Sequence, residues 1–203
     1  MARPRSARAH ADVLDAAQTL FAERGIDATS MDAISEASGV SKATIYKHWR
    51  DKDALALEAL GSLFGMHDVP PKFDSGDLRQ DFVDVLNYQP AQPRQEMKNR
   101  VMPHVMAYAA RNRAFGDTWR SRILARPQSQ LRILVNRGIA QKKLVRNMNV
   151  EIALAQLLGP ALYWYIFHDR KAGNPLPRDW ATEVVNCFWK AYGRAKAKND
   201  RVR

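Results

Sequence analysis

The sequence predicts an all-α protein in two parts. Three observations carry that reading. Apolar residues recur at helical spacing in almost every segment, and no segment alternates as a half-buried strand would. Hydroxyl or carboxylate residues and glycines stand at the ends of the short apolar stripes within the first 50 residues, where helix caps belong. A Pro/Gly/Asp stretch, VPPKFDSGD (69–77), then separates that region from the rest.

Each element follows in order. Residues 7–24 place Val13, Ala17, Leu20 and Phe21 on one stripe, and Gly25 ends the run. Thr29 or Ser30 caps a short helix over 31–38, carrying Met31 and Ile34 and stopping at Gly39, where a left-handed backbone is expected. Ser41 caps a helix over roughly 42–48. Asp51 caps a longer one with Leu57, Leu60 and Phe64 in register, widened by Leu55 and Leu63. Beyond the break come helical segments near 77–88, 95–111, 114–125, 127–144, 149–168 and 178–197. They are separated by YQPAQP, a break near Arg113, Pro127, an RNMN turn and KAGNPLP. The expected domains are 1–50, a connecting helix over 51–68, and a helical domain over 69–203. A chain of 203 residues is long enough for such a module and a bundle.

The formal charge of +11 points towards a polyanion such as nucleic acid. That charge is uneven: residues 1–66 carry a net −1 and residues 67–203 a net +12. Within the first part the basic residues gather in the arm (Arg3, Arg5, Arg8) and at Lys42, Lys47, Arg50 and Lys52. A lone cysteine, Cys187, excludes an internal disulfide framework. MARPRSARAH lacks the apolar core of a secretory signal, and PALYWYIF (160–167) is too short to span a bilayer, so a cytoplasmic protein with no membrane partner is expected. No P-loop, G-x-S-x-G or H-E-x-x-H pattern occurs, and the five histidines lack metal-ligand spacing. The expectation is a non-enzyme with no cofactor and no metal. The rival readings are a small all-α enzyme and an architectural protein binding nucleic acid nonspecifically through its basic half.

Residues 31–48 read as two helices joined by the turn Ser38-Gly39-Val40-Ser41, a helix-turn-helix. At about 100° per residue, Ile45 and Trp49 form one apolar edge of the second helix. Ala43, Thr44 and Lys47 lie opposite, with Tyr46 and His48 to either side. Small and hydrogen-bonding groups flanked by longer donors suit a major groove about 12 Å wide. Lys52 adds charge for a phosphate at the next helix start, and Arg3 and Arg5 can follow the backbone or enter the minor groove. The DNA-contacting set is therefore Arg3, Arg5, Ser41, Lys42, Ala43, Thr44, Tyr46, Lys47, His48 and Lys52.

The run ATSMDAISEASGVSKATIYKHWRDKDAL closely resembles the N-terminal domain of TetR-family transcriptional regulators, over about residues 9–62. The resemblance implies operator contacts through the positions of Lys42, Ala43, Thr44, Tyr46, Lys47, His48 and Lys52. It also implies structural roles for Val40, Ile45 and Trp49, the last replacing a commoner phenylalanine. A repressor released from a palindromic operator by a small molecule is what the family suggests.

Residues 150–167 are apolar on nearly every side, as expected of a helix buried from two directions. With helix 178–197 it predicts a four-helix interface between two copies, drawn from Leu154, Leu158, Ala161, Leu162, Tyr165, Val184, Val185, Phe188 and Tyr192. Pro160 should kink the first of these helices. A two-fold dimer implies near-palindromic half-sites about 34–36 Å apart, or a multiple of that. The resemblance further implies a ligand cavity in the bundle, with candidate walls at Phe64, Met66, Met102, Met106, Tyr108, Phe115, Trp119 and Tyr163. Between Met97 and Val150 the only acid is Asp117 against twelve Lys and Arg, which favours a neutral or anionic effector over a cationic one.

Overall fold

The computed structural model describes residues 5–66, 71–88, 94–167 and 176–194. Among them the chain is helical, joined by turns, with one isolated bridge pairing Leu144 and Gly193. The all-α class expected from the periodicity is the class observed. The chain divides into two compact units, the first from residues 1–70 and 89–125, the second from 71–88 and 126–203. That division differs from the boundary expected at 69. A segment expected in the second domain, 89–125, groups with the first unit because its helix lies along the N-terminal helix.

In the first unit, α1 (Arg5–Ala28) reaches past its expected end, but Gly25 interrupts it with φ 85° and ψ 164°. Glycine serves twice here. A side chain would be strained at that φ, and its Cβ would come within 3.0 Å of the His104 ring. The Thr29 hydroxyl, buried behind the kink, donates to the Gly25 carbonyl at 2.7 Å. Helices α2 (Met31–Ser38), α3 (Lys42–His48) and α4 (Lys52–Leu63) follow with side-chain caps at Ser30, Ser41 and Asp51. The cap of α2 is Ser30, since Thr29 is already engaged. Gln18 donates to the Ala59 carbonyl at 2.8 Å, tying α1 to α4. The buried face of α4 is Leu55, Ala56, Ala59, Leu60 and Leu63, so Leu57 and Phe64 of the expected stripe sit at its margin, half-buried.

The chain returns to this unit with α6 (Arg94–Arg111), which packs on α1 and carries the buried Val101, Val105 and Tyr108. Next comes α7 (Arg113–Trp119) and a π-helical turn, Arg120–Leu124. α7 approaches α6 so closely that a Cβ at Gly116 would lie 2.5 Å from the Ala109 carbonyl oxygen. Backbone cannot yield as a side chain does, so Gly116→Ala should cost about 1–3 kcal/mol. Thermal denaturation checks this: an unchanged midpoint would mean the two helices can part without penalty.

The second unit comprises α5 (Leu78–Asn87), α8 (Ala125–Ala140), α9 (Val150–Phe167) and α10 (Trp180–Tyr192). Its core joins Leu78, Phe82, Val85 and Leu86 to Leu131, Leu134 and Val135, to Leu154 and Leu157, and to Val185 and Phe188. Pro127 does not end the preceding helix: it stands three residues into α8, which continues directly from the π-helical turn. The stretch after α8 is fastened to the end of α10, with Val145 donating to the Tyr192 carbonyl and Arg194 to the Lys143 carbonyl, each at 2.9 Å. α9 runs through Pro160 and buries Ala153, Leu154 and Leu157. Its other side stays open: Ile152, Tyr163, Ile166 and Phe167 are exposed, Phe167 by 69%.

Candidate nucleic-acid interface and effector cavity

The helix-turn-helix is built by local chemistry. Ser30 accepts from the Ala33 amide at 3.1 Å, and Ser41 accepts from the Thr44 amide through its hydroxyl at 3.3 Å as well as its carbonyl at 2.9 Å, so each cap satisfies a first-turn amide. Gly39 closes α2 in the left-handed conformation, φ 67° and ψ 13°, as expected. Nothing lies within 4 Å of a Cβ built there, so backbone conformation and not space selects glycine. Ser35 donates to the Val40 carbonyl at 2.7 Å and stiffens the turn.

Seating of α3 rests on two side chains. Ile45 and Trp49 are buried, Trp49 at 2% exposure, and the Trp49 indole Nε1 donates to Glu58 Oε2 of α4 at 2.8 Å. The opposite side faces outward: Ser41, Lys42, Ala43, Tyr46, Lys47 and His48 are exposed, and Thr44 is half-buried. The Thr44 and Ser41 hydroxyls share a hydrogen bond of 3.0 Å. Lys42 pairs with Asp32 of α2 at 2.6 Å, an exposed contact that an approaching phosphate can displace. Lys52 is tied down more firmly than expected of a phosphate ligand. Its ammonium donates to the Ile26 and Asp27 carbonyls at 2.7 and 3.1 Å, closing the end of α1. Arg3 lies outside the described residues, and only the backbone of Arg5 is described, within α1.

Two residues outside the expected set hold this surface. His10 of α1 stacks on Trp49 with centroids 4.7 Å apart and meets the His48 ring edge-on at 5.5 Å, while its Nε2 lies 2.9 Å from Glu58 Oε1. Three helices thus converge on the Trp49 ring. No sequence signal joins them, since they are brought together only through space.

Of the candidate cavity walls, Met102, Tyr108, Phe115 and Trp119 are buried in the first unit, with Phe64, Met66 and Met106 half-buried there. Phe64 meets Trp119 edge-on at 5.0 Å, and Tyr108 meets Phe115 at 4.9 Å. The Trp119 indole nitrogen is buried with no partner among the described residues. Lys98 of α6 has its ammonium 5.1 Å from the Phe64 ring, and burial pulls its pKa down to about 8. Tyr108 is pushed up to about 12 by burial and by donating to Asp53 at 2.6 Å. Tyr163 belongs to the second unit and is exposed. A cavity of about 560 Å³ opens between α4 and α7, and of the candidate walls only Phe115 and Met66 line it.

The interface set divides. Leu154, Val185 and Phe188 are consumed by the core of their own unit, which leaves no surface for a second copy. Leu158, Ala161, Leu162, Val184 and Tyr192 are half-buried, and of Tyr165 only the helical backbone is described.

Among the described residues no three His, Cys, Asp or Glu side chains gather as metal ligands, and no helix is long and apolar enough to cross a membrane. A capped helix-turn-helix with an exposed polar recognition face, joined to a separate helical unit, defines a DNA-binding transcriptional regulator. Residues 13–59 match the model of bacterial regulatory proteins of the tetR family, and residues 73–187 match a tetracyclin repressor-like C-terminal domain. The chain belongs to the TetR family. It is 28% identical over 186 residues to the uncharacterized HTH-type transcriptional regulator YdeS of Bacillus subtilis, covering 92% of this chain and 91% of that one. Among solved structures it resembles NalD, the secondary repressor of the MexAB-OprM multidrug efflux pump in Pseudomonas aeruginosa. That match has TM-score 0.61 and 20% identity, covering 94% of this chain and 98% of that one. It also resembles a putative transcriptional regulator from Saccharomonospora viridis in complex with choline, with TM-score 0.65 and 19% identity, covering 93% and 100%.

Proposed function

We propose that the protein is a cytoplasmic homodimeric repressor that holds a palindromic operator and releases it when a small molecule binds. The outward face of α3 carries this reading. Lys42, Ala43, Thr44 and Lys47 point away from the buried Ile45 and Trp49, and they form the side that enters the major groove. Tyr46, 51% exposed, and His48 flank them to reach the two phosphate strands. Lys52 contributes its charge and its remaining donor at the start of α4. Arg3 and Arg5 extend the contact along the backbone. A second copy meets the first across α9 and α10. The exposed Ile152, Tyr163, Ile166 and Phe167 supply apolar area there, with Leu158, Ala161, Leu162 and Val184 beside them.

Selection of bound sequences from random double-stranded DNA tests the proposal. Recovery of a near-palindrome with half-sites about 34–36 Å apart, or a multiple of that, is expected. Recovery of no preferred sequence overturns it. On the selected operator, Tyr46→Ala should weaken binding to all variants alike. Thr44→Ala should change the preference between them by about 1–3 kcal/mol at one position of each half-site. An unaltered selection profile for Thr44→Ala would mean that α3 enters the groove on a different side.

A further inference from the structure

We propose that the cavity between α4 and α7 binds a small amphipathic carboxylate, its apolar body on the cavity floor and its acid group on Arg122. This site deepens the effector reading above and rests on it.

The cavity volume of about 560 Å³ is of the size that small-molecule sites occupy. Leu57 and Gly61 of α4, Met66 after it, and Phe115 and Ile123 opposite give an apolar lining. This explains why Leu57, apolar and in register with the α4 stripe, is left half-buried: it faces the cavity.

The two acids and two arginines at the cavity balance in charge, so the groups left open to a ligand decide what it can hold. Each oxygen of both acids already meets a donor of the protein's own. Asp53 accepts from the Tyr108 hydroxyl at 2.6 Å and from the Asn112 amide at 3.1 Å. Glu58 holds His10 at 2.9 Å with one oxygen and Trp49 at 2.8 Å with the other. Arg50 turns its Nε to Asp51 at 2.9 Å. The exposed side chain of Arg122 has no hydrogen bond or ion pair among the described residues. It is carried by the π-helical turn Arg120–Leu124, a local widening of the helix that also brings Ile123 into the wall. A ligand therefore meets an apolar surface and the guanidinium of Arg122, whose planar fork matches a carboxylate, with the terminal nitrogens of Arg50 on the same wall. An occupant is also close to the DNA-binding surface, because Glu58 in the wall holds the indole that seats α3.

Titration calorimetry on the full-length protein provides the test, using a homologous series of straight-chain carboxylates, the matching alcohols and the matching trimethylammonium salts. Carboxylates should bind more tightly than alcohols of equal length, and the ammonium salts least. Arg122→Gln should weaken the carboxylates by about tenfold or more while leaving the alcohols unchanged. Ala114→Trp, which fills the cavity from an exposed wall position, should remove binding of both. Equal affinity for the three series, or carboxylate binding indifferent to both substitutions, overturns the site. Both variants should select the same operator as the unmodified protein. Failure of carboxylate binding with operator selection intact thus sinks this site alone, whereas absence of a selected operator sinks the regulator reading.

Discussion

Trp49→Ala should abolish operator binding and destabilise the first unit by about 3–5 kcal/mol, the range for removing a buried large aromatic side chain. A typical domain has only about 5–15 kcal/mol in total, so the loss is a large share. The indole is buried, His10 stacks on it, and it donates to Glu58 between the recognition helix and α4. Truncation opens a cavity under α3 and leaves Glu58 with His10 as its only remaining side-chain partner among the described residues. Trp49→Phe separates the two contributions. It keeps most of the apolar volume and loses the indole hydrogen bond, worth about 1–2 kcal/mol. Tyr46→Ala is the contrast, since Tyr46 is exposed and its loss should weaken DNA binding without moving the denaturation midpoint. Chemical denaturation alongside operator titration reads both quantities. A Trp49→Ala protein that denatures and binds like the unmodified one would show that α3 is not seated by its indole.

What could be read in the sequence follows from how far each interaction reaches along the chain. Caps and turns join residues two to five apart, so Ser41, Gly39 and Asp51 were legible from residue type and spacing. The outward face of α3 was equally legible, because Ile45 and Trp49 fix its rotation. Contacts across the fold were not. Tyr108 and Asn112 reach Asp53 over 55 and 59 residues, and Lys52 reaches back 26 residues to the end of α1. Lys52 shows the ambiguity well: an ammonium suited to a phosphate is equally suited to helix-terminal carbonyls, and only packing decides. Likewise Leu154, Val185 and Phe188 were apolar residues that suited either an interface or a core, and the unit's own core took them. Grouping of 89–125 with the first unit left no local mark, since it depends on α6 lying along α1.

Asp81→Asn should destabilise the second unit by about 3 kcal/mol, because it breaks a buried charge pair from one side. Asp81 is 1% exposed. One oxygen accepts from the Ser75 amide at 2.9 Å and the other from Arg137, which also reaches Asp74 and the Phe73 carbonyl. The group thereby ties the 71–77 segment to α5 and α8. Burial alone would raise its pKa, but the hydrogen bonds from Ser75 and the Arg137 charge outweigh burial and hold it below its usual 3.8. The folded value lies below the unfolded one. Stability from this carboxylate is therefore fully present above the unfolded value and is lost as pH falls through the folded one. Denaturation followed against pH should show the unmodified protein weakening below about pH 4, with part of that slope absent in Asp81→Asn. The double substitution Asp81→Leu with Arg137→Met should recover much of the loss, since it leaves neither charge buried alone. If Asp81→Asn alone proves neutral at pH 7, the ion pair contributes nothing to holding the 71–77 segment, and packing around Leu78 and Phe82 must suffice.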